Sequence, residues 1–318
     1  MAKYYFLPRE WAKRHPGISR FGWRLEAWLI GAALKLFSVL PLSIATKIAG
    51  SWFRAFGPLT SISKRVVENL DIAFPDAPAP LRRRWVREVF GNLGVAIAEL
   101  TQLDKIWRDR SSRLEFVTEP GTDFLHEPGR AAVFVTAHVG PWTLTNFIAG
   151  EYAFPLTIVY APESNPFVRD MICELRSALP ARQIERDNSM RALMGELARG
   201  ATVGLGSDVR LDGGEMIPFF GHDMATNTVP ARLALRYDCP FVPVRAERLP
   251  GQRFRITTCT PVQPHDPNAS TSEQARDMTM QLNALFEDWI RATPGEWMCL
   301  ARRWPKRQRA VAPPANPG

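Results

Sequence analysis

The sequence predicts an α/β fold with a mostly parallel central sheet flanked by helices. Two observations lead there. From about residue 131 to 249, short apolar and β-branched runs alternate with stretches of helical periodicity, which is the order a sheet covered by helices on both faces produces. The chain has 318 residues and is 46% apolar, enough to bury a large core and to exclude wholesale disorder. A third observation adds a part: a strongly apolar stretch precedes the sheet and predicts an N-terminal, membrane-associated helical segment. The organisation expected is residues 1–60 as interfacial helices, 61–306 as the main domain and 307–318 as a disordered, Pro-rich tail.

The first residues, MAKYYFLPREWAKRHPG, are charged and aromatic and lack the apolar core and cleavage site of a secretory signal. From Ala27 to Phe56 the chain is apolar, interrupted by Lys35 and Lys47 and broken at Pro41. Its uncharged run from Leu36 to Thr46 falls short of the roughly 20 residues a membrane-crossing helix needs. Trp23, Trp28, Trp52 and Phe53, with Arg20, Arg24 and Arg54, flank it, and such residues settle at head-group level. The reading is a helical hairpin lying on a membrane. A pair of buried core helices and a tilted single span with snorkelling lysines are the alternatives.

Two helical segments follow, SKRVVENLDIAF and LRRRWVREVFGNLGVAIAELTQL, separated by PDAPAP. The run AAVFVTAHVG (131–140) predicts a buried strand ending at a Gly-Pro turn, and TLTNFIAGEY can start a helix. LTIVYAP predicts a second strand, followed by helices from Pro166 to about Leu179 and from Ser189 to Arg199. ATVGLGSD predicts the next strand. Residues 209–226 read as turn-rich, VPARLALRYD as a helix, PFVPVRAERL as a strand and RFRITTCTPV as an antiparallel one. SEQARDMTMQLNALFEDWIRATP closes the fold as a helix ending at Pro294.

The net charge of +8 favours anionic partners such as phosphorylated lipids or an acidic protein. Nucleic acid is not expected, because the basic residues are spread along the chain and no recognition motif is present. Cys173, Cys239, Cys259 and Cys299 lie far apart, with no CxxC pair and no histidine at ligand spacing. That pattern reads as reduced thiols facing a cytosol, with neither a disulfide framework nor a metal site.

The most informative segment is VFVTAHVGPWTLTN. It puts His138 at the carboxyl end of a buried strand, the usual ligand crevice of an open α/β sheet, where an imidazole can act as a general base. A structural histidine is the alternative at this point.

Several blocks, in order, resemble the late acyltransferases of bacterial lipid A synthesis, within the wider glycerolipid acyltransferase group. That group's motif is His, four residues, then Asp or Glu. Here the stretch reads His138-Val-Gly-Pro-Trp-Thr143. NLDIAFPD (69–76), YAPESNPFVRDMICELR (160–176), SDVRLDGGEMIPFFGHDMATNTVPARLALR (207–236) and PGEWMCLARRWPK (294–306) are similar to further family segments. The likeness runs from about residue 25 to 306, and its specificity lies in the order of the blocks.

The resemblance implies transfer of a fatty acyl chain from acyl carrier protein, or less readily coenzyme A, to a hydroxyl of a lipid A precursor or related anionic glycolipid. The site implied is the cytoplasmic face of a bacterial inner membrane. No cofactor and no metal are implied. His138 would take the proton of the lipid hydroxyl. Arg176 would stabilise the oxyanion or hold a phosphate, and Asp208 matches the aspartate of the family's Asp-Gln pair. Arg210, Phe220, Gly221, Thr226 and Arg303 would contact substrate or shape its pocket, with Arg302 beside Arg303 suited to a lipid phosphate. Ordinary core packing is the alternative for Phe219 and Phe220, a surface helix arginine for Arg176, a loop-capping aspartate for Asp208, and a solvated basic helix end for Arg302 and Arg303.

Thr143 departs from the pattern, since it stands where the family carries the acid that orients the histidine. Loss of such a carboxylate can cost up to roughly 10⁴ in rate. Asp208 or another acid could replace it from a different strand; the enzyme could be slow on an unusual acceptor; or the chain could be a membrane lipid-binding protein without turnover.

Overall fold

Pro41 sets the shape of the first part of the chain. Held at φ −54° and ψ 139° and lacking an N–H, it cannot continue a helix, so α1 (Pro16–Val39) and α2 (Leu42–Phe56) meet at the expected break. The computed structural model describes residues 16–187 and 189–305. The first fifteen residues and the tail at 307–318 lie outside the described residues.

After α3 (Ser63–Ala73), the long helix α4 (Ala79–Leu100) receives α2 along a seam of small residues. Ala45, Ala49 and Ala98 are fully buried there. A Cβ on Gly94 would sit 2.4 Å from the Ala49 carbonyl oxygen, so the two helix backbones touch only because that position is glycine. The opposite faces are uncovered. Phe21, Leu25, Trp28, Leu29, Leu36 and Val39 of α1, and Ile44, Ile48, Trp52 and Phe56 of α2, are all exposed. The pair is therefore not a buried core element. No helix among the described residues is long and apolar enough to cross a membrane.

The sheet assembles from the rest. Short helices α5 (Leu103–Arg108) and α6 (Arg110–Arg113) lead into β1 (Leu114–Thr118), and then β2 (Val133–Thr136). Helix α7 (Ile148–Glu151) precedes β3 (Leu156–Tyr160), and α8 (Pro166–Arg176) precedes β4 (Arg182–Glu185). Helix α9 (Ser189–Ala198) leads to β5 (Thr202–Gly206), followed by a hairpin of β6 (Glu215–Phe219) and β7 (His222–Thr226). The chain closes with α10 (Val229–Arg236), β8 (Phe241–Leu249), β9 (Arg253–Thr258) and α11 (Thr271–Ala292).

Seven strands lie in the order β1-β9-β8-β2-β5-β3-β4. Every neighbouring pair is parallel except β8–β9, as the sequence predicted for RFRITT. Along β2 the side chains alternate: Val133 and Val135 enter one core and Phe134 the other. A strand covered on both faces reads as a continuous apolar run, which explains why VFVT was visible in the sequence.

Three elements were not. β1 and β4 are short and mostly half-exposed strands at the two edges of the sheet, too polar to show an apolar run. The turn-rich stretch 209–226 contains the β6–β7 hairpin. Its tip is Phe220-Gly221, with φ of 52° and 72°, the paired positive dihedrals of a tight type I′ turn. TLTNFIAGEY forms one 3₁₀ segment, Trp142–Phe147, before the short α7.

Gly94→Ala is expected to destabilise the chain by about 1–3 kcal/mol, read from its denaturation midpoint. Gly22→Ala, where nothing lies within 4 Å of the added carbon, is expected to leave stability unchanged or raise it by up to about 1 kcal/mol.

Candidate active site

The register of two parallel strands brings the central pair together. Thr136 of β2 lies opposite Gly206 of β5, and the ladder extends one step through the Ser207 N–H donating to the Thr136 carbonyl at 2.9 Å. His138 and Asp208 each stand two residues past those partners, so both emerge at one level of the sheet's carboxyl edge. The His138 Nδ1 to Asp208 Oδ1 distance is 2.6 Å. The histidine side chain is 29% exposed and the aspartate 3%. Gly206 makes room: a Cβ there would lie 2.6 Å from His138 Cε1.

Asp208 is held from a second side. Its Oδ2 accepts a hydrogen bond from Trp297 Nε1 at 3.1 Å. The closing segment carrying Trp297 is itself stitched to the histidine loop, for Val139 bridges Trp297 and the Met298 N–H donates to the His138 carbonyl at 2.8 Å. Asn69 anchors the same segment, donating to the carbonyls of Cys299 and Ala301 and accepting from the Arg303 N–H. Two distant blocks, NLDIAFPD and PGEWMCLARRWPK, thus form one support.

The electrostatics follow from this packing. Burial alone would lower the His138 pKa, but the Asp208 charge and the hydrogen bond outweigh it and raise it above 6.5. Burial would raise Asp208, yet attraction to His138, their hydrogen bond and the nearby Arg303 hold it below the usual carboxylate range. An ionised Asp208 makes Nδ1 the protonated nitrogen and leaves Nε2 as the acceptor. Arg303 is only 2% exposed. Its guanidinium lies 4.7 Å over the Phe219 ring, and burial, opposed by Asp208, lowers its pKa to about 10, so it stays charged at neutral pH.

The other residues singled out from sequence have different neighbours. Thr143 lies in the 3₁₀ segment after the histidine, where its carbonyl accepts from Asn146; no hydrogen bond joins it to His138 among the described residues. Arg176 pairs with Glu163 at 3.3 Å and lies over the Tyr160 ring. Arg210 pairs with Asp212 and Arg302 with Glu68. Gly221 is the hairpin tip, and Phe220 stacks on Trp297 with ring centroids 6.2 Å apart. Phe219 and Phe220 are buried in the larger core. Thr226 is 1% exposed, its hydroxyl donating to the Met224 carbonyl.

His138, Asp208 and Arg303 are therefore brought together. Two of their partners, Trp297 and Gly206, escaped the sequence reading. Trp297 sat inside a block that resembled the family, and Gly206 interrupts an apolar strand two residues before Asp208. Among the described residues no three His, Cys, Asp or Glu side chains cluster as metal ligands do.

The structure defines an α/β protein with an open, mostly parallel sheet and a histidine–carboxylate pair at its carboxyl edge, an arrangement that can accept and return a proton. Residues 17–306 match the family described as bacterial lipid A biosynthesis acyltransferase, and the chain belongs to that family. It is similar to the lipid A biosynthesis palmitoleoyltransferase of Escherichia coli (strain K12) and to the lipid A biosynthesis acyltransferase of Shigella flexneri. Each is 26% identical over 249 residues, covering 76% of this chain and 78% of the relative. The protein is accordingly an acyltransferase, with an acyl donor and a lipid acceptor.

Gly206→Ala is expected to push the imidazole off Asp208. Without the carboxylate, burial dominates, so the His138 pKa followed by NMR titration should fall below its wild-type value. An unchanged pKa would mean that the ring does not depend on this gap.

Proposed function

We propose that His138 is the general base of an O-acyl transfer from acyl carrier protein, or less readily coenzyme A, to a hydroxyl of a lipid A precursor or related anionic glycolipid. The observation that carries this reading is the 2.6 Å contact of His138 with Asp208, which supplies a carboxylate where Thr143 does not. His138 Nε2 takes the hydroxyl proton as the oxygen attacks the thioester carbonyl. The tetrahedral oxyanion then collapses, the carbon–sulfur bond breaks, and the thiolate leaves with the proton that His138 returns. The products are a new ester and a free thiol.

Asp208 orients the ring and stabilises its protonated form, as a triad carboxylate does. Trp297 fixes the second carboxylate oxygen, and buried Arg303 helps to keep the group ionised; at 2% exposure it acts from beneath the site. Arg176 has a buried Nη1 without a hydrogen-bond partner among the described residues and is proposed to meet the acceptor's phosphate or the oxyanion. Arg210 is proposed to add a contact to the anionic acceptor, and the Phe220-Gly221 tip with Thr226 to shape the pocket through the aromatic layer around Trp297. The lipid-binding alternative without turnover rested on the missing acid, and the Asp208 contact weighs against it.

The exposed apolar faces of α1 and α2 support attachment to a membrane surface, proposed to be the cytoplasmic face of a bacterial inner membrane. On this reading residues 1–60 form the interfacial part and 61–306 the acyltransferase domain.

The test uses purified protein in detergent, labelled acyl carrier protein and a panel of lipid acceptors. His138→Ala should abolish transfer; transfer that survives it refutes the assignment. Because only neutral His138 accepts a proton, wild-type kcat/KM should fall as pH drops through a pKa above 6.5. Asp208→Asn should lower the rate by roughly 10²–10⁴ and move that limb to lower pH, since the carboxylate that raised the pKa is gone.

Thr143→Glu separates the remaining readings. With the Nδ1 position already filled, the rate should stay the same or fall. A rise of tenfold or more, about 1.4 kcal/mol, would mean that Asp208 does not serve as the partner.

A further inference from the structure

Beside α2, at the carboxyl end of β8, two adjoining hollows of about 340 Å³ and 680 Å³ share Lys47 and Gln252. Neither includes His138. The smaller is lined by four cations, Lys47, Arg54, Arg248 and Arg253, against one acid, Glu99. The larger adds Lys105 and Arg113 with Asp109.

Their hydrogen bonds sort these cations. Arg248 is committed to Glu99 through two bonds of 2.7 and 2.8 Å, and it also meets Asn92 and Glu296. Lys105 donates to the Ser38 carbonyl and Arg113 pairs with Asp109. Arg253 is 3.9 Å from Glu115, which already holds Arg255 at 3.0 Å. Lys47 and Arg54 have no ion pair among the described residues. Three cations with little or no neutralisation thus face one hollow.

Their position on α2 indicates what they face. Ile44, Ile48, Trp52 and Phe56 form an exposed stripe at four-residue spacing. Lys47, Ser51 and Arg54 run beside it, one step around the helix. With the stripe in hydrocarbon, Lys47 and Arg54 stand at head-group depth. A soluble anion would have no use for the stripe.

We infer that this cleft binds the phosphate of an anionic lipid whose chains follow the apolar stripe of α2. The inference rests on the membrane-surface reading above but not on turnover. The cleft is also tied to the catalytic loop: Arg248 bonds the Glu296 side chain, the Glu296 carbonyl accepts from the Gly140 N–H at 3.2 Å, and the next residue, Trp297, holds Asp208.

The experiment is flotation of the full chain with phosphatidylcholine vesicles, with and without phosphatidic acid. Lys47→Gln, Arg54→Gln and Arg253→Gln together should weaken binding to the anionic vesicles by about fivefold per cation, with binding to neutral vesicles and the circular dichroism spectrum unchanged. Returning the charges as Lys47→Arg, Arg54→Lys and Arg253→Lys should restore it. The control is Arg83→Gln, Arg130→Gln and Arg191→Gln, which removes the same charge from exposed sites outside the cleft and should change little.

Equal loss in the control, or no loss in the cleft variant, overturns the inference. So does displacement of the protein from anionic vesicles by inorganic phosphate at matched concentration, which would mark a free-anion site. A raised KM for acyl carrier protein with lipid binding intact would assign the cleft to an acidic protein instead and equally overturn it. Wild-type protein that floats with neither vesicle would remove the membrane reading itself, an outcome distinct from all of these.

Discussion

His138 and Asp208 leave adjacent parallel strands at matching positions, and the 2.6 Å contact between them is the joint on which the site depends. It holds the imidazole in one orientation, keeps the proton on the inner nitrogen and leaves the outer one free. It also compensates for burying an aspartate almost completely, which would otherwise be costly. The register of β2 against β5 creates the contact, and Gly206 keeps the space it needs.

The remainder of the site serves to hold that joint still. Trp297 closes off the second carboxylate oxygen, and the segment that carries it is bonded both to the His138 backbone and, through Asn69, to α3. Behind it Phe219, Phe220, Trp297 and Trp304 pack as an aromatic layer. The β6–β7 hairpin contributes two of these rings, Phe219 and Phe220, the latter at a positive φ in the turn. Arg303 rests on the same layer. A buried guanidinium is expensive on its own, but beside Asp208 it favours the charged form of the aspartate.

Helix α2 divides its surface three ways. One face of small residues closes on α4, one apolar stripe is left exposed, and a row with Lys47 and Arg54 lies between that stripe and the cleft. Gly94 makes the first possible by letting the backbones meet. The other two suit a helix lying in a membrane interface, with hydrocarbon below and phosphates at its side. On the proposed membrane reading, this single 15-residue element would link the fold to the surface that holds a lipid acceptor.

The sequence by itself determined the α/β class, the break at Pro41, the main buried strands and the placing of His138 at a strand end. Those features are local: apolar runs, prolines and glycines act on their own neighbours in the chain. Edge strands β1 and β4 and the β6–β7 hairpin were hidden because half-exposed strands need no continuous apolar run. Only the tertiary structure decided which acid meets the histidine, since that follows from pairing between strands some 70 residues apart. It also turned Arg303 from a residue suited to a lipid phosphate into a buried neighbour of Asp208. Burial and pairing are long-range outcomes of packing, and no spacing along the chain encodes them directly.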